Sequence, residues 1–557
     1  WKCFAWLLFC ALFSKMTFAQ TTAPLQHLWE IDPDFGDIWA RTDPGRSPYI
    51  DLQGLSSDQT QVRMEIARKI ALNYDRDGFQ NPERALELLI QAIERDEKSS
   101  VLNRALLSAA CALDDGTHAP ILWQSAQKDI AARRTVERGL IRWKNPIALD
   151  FWRSVVREAS SSIEDMTLAI EGLGAAGSSE DIDLLLKVLE SNQTHPVHRI
   201  LAAKAIGGRK NTGLAAVAQR YFDSEIPDKD LVAAHLLQNQ NDDASARLLQ
   251  SLQNSVSSPA QLLAAAGLAR NFRSTAELLL DQWVTKEDLN FRRLAMQIIS
   301  DMPPQDGIHR AIVLVSDNDH QLRSDARRFL LQCATSGDRE LINECVSKLL
   351  AGTAWQGMEQ GIILAVELQD ATRCEAFLAL LDHPQAEVHM HAAWGLMELA
   401  NDAAIVEKIH QYAERMTNLL EQGKANFQKS ETIRMSFLLE ALGRQRYEPA
   451  YSMLIKYIPK NDFKMGNLTR ASAIWSIGQM RQDRDLPDLR SQLSERIGDL
   501  PPDKPENYLV RFACIIALGR MGYSDSVAVI EQYGGAPPNP LGLAAQWSLS
   551  RIRESGK

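Results

Sequence analysis

The stretch RASAIWSIG at residues 470–478 sets the pattern that the rest of this chain follows. The stretches RFACIIALG at 511–519 and RILAAKAIG at 199–207 repeat it. Each stretch begins with arginine, continues with small and apolar residues at helical spacing, and ends with glycine. A second apolar helix is predicted over 486–497, after residues 470–478, and over 524–533, after residues 511–519. Recurring units of this kind indicate stacked helical hairpins, none of which buries its apolar face alone.

The residue sizes within each copy suggest how neighbouring hairpins pack. Small side chains near the middle of a copy let adjacent helices approach closely, and larger ones four residues later fill the seam between them. The glycine at the end is interpreted as the left-handed residue that terminates the helix. The residues assigned to this structural pattern are Arg199, Gly207, Arg470, Gly478, Arg511, Gly519 and Gly522.

The copy at 511–519 resembles HEAT-like repeats, of the short type that also occurs in phycobilin lyases. Their pattern is roughly Val-Arg, two small residues, and then Ala-Leu-Gly-x-x-Gly, which Val510, Arg511 and residues 517–522 match. Residues 172–177 match only the second half of the pattern. The resemblance implies an all-α, armadillo-type fold, a right-handed α-α superhelix or solenoid of HEAT-like helical hairpins. Because the pattern encodes packing, it implies no particular function.

Helical hairpins recur along the chain at intervals of about thirty to forty residues. The connections between them are rich in Gly, Pro, Asn and Asp, and the units within 230–382 keep the helical period but lose the Leu-Gly signature. The helix that begins at Pro82 resembles a tetratricopeptide helix. First helices of the hairpins are predicted to begin near Val101, Arg134, Glu164, Arg199, Asp230, Pro259, Asn290, Leu322, Gln356, Val388, Thr432, Thr469 and Leu509.

The first nineteen residues have the pattern of a secretory signal peptide. Lys2 precedes an apolar run over 4–13, and small residues at 17–19 fit cleavage after Ala19. The apolar run is short for a helix that spans a bilayer. Export to the periplasm, the cell envelope or the extracellular space is therefore expected, and an uncleaved segment that tethers the chain to a membrane is the alternative.

The remaining residues divide into an irregular N-terminal arm at 20–57, a HEAT-like solenoid at 58–535 and a capping helix within 536–557. The arm is predicted to lie on the first hairpins. It is either a partner-binding arm with exposed aromatic residues or a packed cap, and the cap is favoured because aromatic side chains usually bury. Its aromatic residues are Trp29, Phe35, Trp39 and Tyr49.

The charge and composition of the chain limit the classes of partner that it is expected to bind. The 557 residues carry a formal net charge of −10, and no local basic run is present, so a broad nucleic-acid surface is not expected. A protein partner of unknown identity is predicted, and a membrane contact only if the N-terminal segment is uncleaved. Arg323, Arg327 and Arg328 are predicted to coat a solvated face, or to line a groove that binds an acidic partner.

Residues 73–78 (NYDRDG) contain the weak calcium candidates Asp75 and Asp77, which are oxygen ligands at alternate positions before a glycine. The twelfth position of such a loop needs a bidentate glutamate, and Arg84 occupies it. A turn between helices is therefore favoured over a calcium site. Weak clusters of histidine, at His195 and His198 and at His383, His389 and His391, provide no evident set of metal ligands.

The sequence contains no evident catalytic constellation, and no cofactor is expected. Residues 172–177 have the Gly-x-Gly-x-x-Gly spacing of a dinucleotide site but follow a helical segment, so packing explains them better. The predicted function is a non-catalytic scaffold that binds proteins through an extended solenoid surface. The alternative is a lyase-like or ligand-modifying protein, which a deep cleft with convergent His, Asp and Glu would favour.

The remaining candidates for a functional role are cysteines and tryptophans. Removal of the signal peptide leaves five scattered cysteines, too few for a dense disulfide framework. Cys333 and Cys345 are candidates to face each other across one hairpin, but buried free thiols are favoured. Trp394, Trp475 and Trp547 occupy apolar seam positions, which favours core packing over a binding stripe.

Overall fold

The computed structural model describes residues 25, 27–28, 50, 52–73, 81–95, 100–158, 161–425, 429–460, 465–484, 486–534 and 540–555. The predicted signal peptide, the four aromatic residues of the arm, and Asp75 and Asp77 lie outside these described residues. The chain divides into two compact units. Unit 1 comprises Trp1–Lys15 and Pro44–Leu294, and unit 2 comprises Met16–Asp43 and Ala295–Lys557.

Unit 1 contains helices of four to fourteen residues, with short 3₁₀ turns at Leu52–Ser56 and Pro146–Ala148. The helices are α1 (Thr60–Asn73), α2 (Pro82–Arg95), α3 (Ser100–Leu113), α4 (Ala119–Ala126), α5 (Ile130–Trp143), α6 (Leu149–Arg157), α7 (Ile163–Ala176), α8 (Ser179–Glu190), α9 (Pro196–Arg209), α10 (Ala215–Phe222), α11 (Lys229–Leu237), α12 (Asp243–Leu252), α13 (Ser258–Asn271), α14 (Arg273–Glu277) and α15 (Leu280–Trp283).

Helix α16 (Leu289–Ser300) contains the boundary between the units. The helices of unit 2 that follow it are α17 (Pro304–Leu314), α18 (His320–Cys333), α19 (Arg339–Leu350), α20 (Trp355–Glu367), α21 (Cys374–Leu380), α22 (Ala386–Leu399), α23 (Ala403–Glu421), α24 (Lys429–Arg444), α25 (Tyr451–Leu454), α26 (Asn467–Met480), α27 (Pro487–Gly498), α28 (Tyr508–Met521), α29 (Val527–Gly534) and α30 (Pro540–Ser555). Short helical turns lie at Ala334–Asp338, Ala371–Arg373, Glu448–Ala450, Ile455–Tyr457 and Ser524–Ser526.

Each unit is an α-solenoid of HEAT-like helical hairpins, which confirms the predicted fold class. The described residues contain no β-strand. In unit 1, each of the alternate helices α1, α3, α5, α7, α9, α11 and α13 packs on the next in that series; α18, α20, α22, α24, α26, α28 and α30 do so in unit 2. We call each series the first-helix layer of its unit. Every predicted start of a first helix lies within four residues of the start of an observed helix, and all of these helices except α16 belong to a first-helix layer. None of the described helices has the length and apolarity needed to cross a bilayer.

The glycines of the repeat pattern have a different role from the predicted one. Gly207, Gly478 and Gly519 lie inside α9, α26 and α28, and none of them has a positive φ. The interpretation of these glycines as left-handed helix ends was therefore wrong. Gly522 does end α28 in the left-handed region, with a φ of 78°.

Contact between successive first helices explains the internal glycines. A Cβ atom on Gly207 would lie 2.0 Å from the carbonyl oxygen of His235 in α11. A Cβ atom on Gly519 would lie 2.5 Å from Oγ of Ser548 in α30. These glycines allow one first helix to touch the backbone or a short side chain of the next, which any larger residue would prevent.

Arginines near the start of a first helix bind carbonyl groups in the turn before it. Arg199 donates Nη2–H to the carbonyls of Ser191 and Thr194, both at 3.3 Å. Arg323 donates Nη1–H to the carbonyls of residues 317 and 318, at 2.9 and 3.1 Å. The guanidinium thereby satisfies acceptors that no helix pairs, and it fixes the entry of the chain into the helix.

Candidate functional site

Glu440 is a buried carboxylate in the first-helix layer of unit 2. It lies in α24, three residues before Gly443, and is fully shielded from solvent. The equivalent position, three residues before the glycine of the repeat, is Trp475 in α26 and Ile516 in α28. Both residues are buried and apolar. Repeat packing therefore does not require a charge at this position, and the burial of one must be offset by hydrogen bonds.

Three donors surround the carboxylate of Glu440, and two of them come from the N-terminal segment of the chain. Ser472 in α26 donates its hydroxyl to Oε1 over 2.6 Å. Nδ1 of His27 lies 2.7 Å from Oε1, and the backbone N–H of Leu28 donates to Oε2 over 2.7 Å. The segment lies more than 400 positions before α24 in the sequence, so these hydrogen bonds join two distant parts of the chain.

The side chains of His27 and Leu28 are buried within unit 2. The His27 ring stacks on Phe437, with the ring centroids 4.5 Å apart and the planes inclined by 19°. Only 7% of His27 and 9% of Leu28 is exposed. The prediction that the arm lies on the first hairpins was wrong for these two residues, since they pack on α24 of unit 2. Glu440 is the physical reason, because it supplies acceptors for both of them.

The geometry is that of a site that recognises a short segment of polypeptide through one backbone group and one side chain. A backbone N–H bound to Glu440 is a contact that any residue except proline offers. The stacking surface of Phe437 and the second carboxylate oxygen select a ring that can donate a hydrogen bond. Backbone bonding combined with a side-chain pocket is a recurring mode of peptide recognition. We call Glu440, Phe437 and Ser472 the Glu440 site.

A second polar cluster lies in the same layer, between α18 and α20. Arg323 donates Nη2–H to Glu359 over 3.1 Å, and the amide of Gln360 donates to the same carboxylate over 3.0 Å. Arg327 binds Gln360 through Nη1 and Glu367 through Nε, at 2.8 and 3.1 Å. Burial raises the pKa of Glu367 despite the opposing charge of Arg327. The cluster joins two first helices by charge-assisted hydrogen bonds.

The prediction that Arg323 and Arg327 coat a solvated face was wrong. They are only 6% and 5% exposed, and both are engaged with α20. Arg328 fits the prediction better, since its side chain is about half exposed, at 47%, and pairs with Asp325 at 3.3 Å. Two of these three arginines therefore serve packing between repeats and are already bound within the chain.

The histidines considered as metal ligands do not converge in the described part of the chain. His389 and His391 each place Nδ1 within hydrogen-bonding distance of a backbone carbonyl, respectively six and four residues earlier. Burial lowers the pKa of both rings. The rings of His195 and His198 are 5.6 Å apart, and no group of three His, Cys, Asp or Glu suited to a metal occurs among the described residues.

The five cysteines outside the predicted signal peptide are free and buried, as the sequence favoured. Burial raises the pKa of Cys111 to about 12 and that of Cys333, Cys345 and Cys374 to about 11, and it also raises the pKa of Cys514. Protonated thiols are poor nucleophiles and poor metal ligands, so these residues act as small apolar side chains.

Neither the three tryptophans nor the two cavities described here provide a cleft with convergent acids and bases. Trp394 and Trp475 are buried, as predicted, and Trp547 is half-buried. A cavity beside Trp475 encloses about 10 Å³, the space of about one water molecule. An open groove in unit 1 is lined by residues of which none is His, Asp or Glu. They are Leu52, Gln53, Ser56, Ser57, Arg84 and Leu88.

Comparison with known proteins identifies no family. No protein-family model and no curated protein matches the chain. Among solved structures, a crystal structure of importin beta is 11% identical, with a TM-score of 0.45, over 90% of this chain and 72% of that one. Kap95p with RanGDP and yeast importin-beta (Kap95p) cover the same shares, at 10% and 12% identity and TM-scores of 0.46 and 0.41.

Proposed function

We propose that this chain is an exported, non-catalytic scaffold that binds peptide segments of partner proteins on the first-helix layer of unit 2. One observation carries the proposal: the layer already holds His27 and Leu28, which reach Glu440 from more than 400 residues away in sequence. A surface that binds one polypeptide segment through its backbone has the chemistry to bind another such segment. Stacked hairpins extend such a surface over several repeats.

The polar groups of the layer support a binding role over a catalytic one. Arg323, Arg327 and Glu359 are bound to one another or to neighbouring side chains within the cluster. A general acid or base needs access to a substrate proton, and Glu440 is instead enclosed by donors from the chain itself. The lyase-like alternative gains no support from the two cavities described above, because neither has an acid and a base in its lining.

A capture experiment tests the binding function. The full-length chain, tagged at its C terminus, is cross-linked in the cell envelope beside the variants Glu440→Gln and Glu83→Gln. Glu83 is an exposed residue of α2 and serves as the matched control. We expect a partner that wild type and Glu83→Gln retain equally and that Glu440→Gln retains at least fivefold less. Equal retention by all three chains, or turnover of a small molecule by the purified protein, would overturn the proposal.

Export has its own test. The leader pattern at 1–19 supports it, and cleavage after Ala19 would leave His27 and Leu28 at the eighth and ninth positions of the processed chain. N-terminal sequencing of the protein recovered from the envelope and the medium is expected to begin at Gln20. Recovery of a chain that retains residues 4–13 and sediments with membranes would replace secretion with the tethered alternative.

A further inference from the structure

We infer that the segment containing His27 and Leu28 is an intramolecular ligand of the Glu440 site, and that a partner must displace it to bind there. The inference rests on the proposed function and specifies how the site is regulated. It also defines the ligand class: a peptide with an imidazole-bearing residue followed by an aliphatic residue whose backbone N–H can donate a hydrogen bond. The bound segment provides the template for this class.

The division of roles between site and segment supports the inference. Helices α24 and α26 supply the acceptor, the aromatic platform and the third donor, through Glu440, Phe437 and Ser472. The segment supplies one backbone N–H and one ring. A covalent link of several hundred residues does not alter these contacts, so the same groups on a separate peptide would bind by the same chemistry.

The burial of Glu440 explains why the site is occupied within the chain. Without the segment, Oε2 would lose the donor it has from Leu28, and Oε1 would keep only Ser472. A carboxylate deprived of its donors has a high free energy unless water or another donor reaches it. Occupation by the segment satisfies the carboxylate until a competing segment arrives.

Competition between the two ligands predicts weak binding to the wild-type chain. A tethered ligand competes from within the chain, at an effective concentration that is set by the length and stiffness of its tether. A free peptide that offers the same contacts must overcome that concentration. Loss of a single internal contact should therefore raise the apparent affinity for the free peptide by at least tenfold.

The full chain offers a direct way to release the segment. Leu28→Pro removes the backbone N–H that donates to Glu440 and leaves the site itself unchanged. The probe is a fluorescein-labelled synthetic peptide of residues 22–34, measured by fluorescence anisotropy. We expect it to bind Leu28→Pro at least tenfold more tightly than wild type. The double variant Leu28→Pro/Glu440→Gln should lose that gain, and a probe that carries proline at position 28 should not bind.

A second variant protects the test against a folding defect. His27→Ala removes the ring that stacks on Phe437 and should also increase binding of the probe, provided that circular dichroism matches wild type. Equal affinity of the probe for wild type, His27→Ala and folded Leu28→Pro would overturn the inference. If partner capture still depended on Glu440, only the inference would fail. If the probe bound tightly but partner capture did not depend on Glu440, the proposed scaffold function would instead be contradicted.

Discussion

Arg470 and Glu506 form a bidentate ion pair that is shielded from solvent. Nη1 and Nη2 of the arginine lie 2.9 and 2.8 Å from the two carboxylate oxygens. Nε of Arg470 also donates to the carbonyl of Tyr457 over 3.1 Å. Burial alone would raise the pKa of Glu506, but hydrogen bonds and charge from Arg470 leave it below its ordinary value. The pair fastens the proline-rich turn at 501–505 to the start of α26.

Removal of Arg470 should destabilise unit 2 strongly. Arg470→Met leaves Glu506 buried without its main partner, which costs roughly 3–5 kcal/mol in comparable pairs. Guanidinium unfolding followed by circular dichroism measures the effect. Arg84→Met is the matched control, because Arg84 pairs with Glu87 on the surface and both side chains are about 60% exposed. A midpoint that shifts equally in both variants would contradict the assignment of Arg470 as a buried clamp.

Alanine at Gly207 should disrupt the contact between α9 and α11. The added Cβ atom would lie 2.0 Å from a backbone oxygen, which no side-chain rotation relieves. Overpacking of this kind costs roughly 1–3 kcal/mol or more. Gly498→Ala is the control, since nothing lies within 4 Å of a Cβ atom there. We expect a lower thermal midpoint for Gly207→Ala and an unchanged or higher one for Gly498→Ala, by differential scanning calorimetry.

Glu137 should make the stability of unit 1 depend on pH. Burial raises its pKa to about 7 against the opposing charge of Arg133, from an ordinary value near 4.5. Between these values the folded chain keeps the proton and the unfolded chain releases it, so stability falls as pH rises through that window. Glu137→Gln should remove this dependence and stabilise the protein at pH 8 by up to about 3 kcal/mol. Thermal midpoints from pH 5 to 8 test this.

An exposed carboxylate in the same unit provides the comparison for that titration. Glu180 lies in the first turn of α8 and is exposed. Glu180→Gln should therefore leave the pH profile of the thermal midpoint parallel to that of wild type. A Glu137→Gln profile that also stays parallel from pH 5 to 8 would show that Glu137 does not titrate in this range.

The buried thiols should resist modification in the folded chain. Burial holds their pKa values above the ordinary value of 9.0, so little thiolate forms at pH 8. We expect reaction with a chromogenic disulfide reagent only after unfolding in guanidinium, when five thiols appear in the processed chain. Val256→Cys places a thiol at a fully exposed position and should react at once in the native state. Rapid labelling of native wild type would contradict the described burial.

The repeat architecture was predictable because contacts between neighbouring helices restrict residue size at regular positions in the sequence. The copies at 199–207, 470–478 and 511–519 place small residues where first helices touch, and every predicted start lies within four residues of an observed helix start. Only the helix predicted near Asn290, which is α16, lies outside the first-helix layers. The role of Gly207 was missed because a glycine at a helix end and a glycine at a crossing look alike in one sequence. Only the position of His235 distinguishes them.

Side-chain partners in different repeats were not predictable in the same way. The burial of Arg323 depends on Glu359, which lies in the next first helix, and the middle repeats keep only a helical period. His27 and Glu440 are 413 positions apart, and nothing local links them. The single available signal was a glutamate three residues before Gly443, where the next two repeats place Trp475 and Ile516.

The hydrogen bond between Leu28 and Glu440 also imposes an order on biosynthesis. The 412 positions that separate donor and acceptor take roughly 20 to 80 s to translate at 5–20 residues per second. Throughout that interval the ribosome has made the ligand but not its receptor. Any factor that binds the segment around His27 during translation therefore acts on an undocked segment, and the Glu440 site closes only after synthesis has passed Ser472.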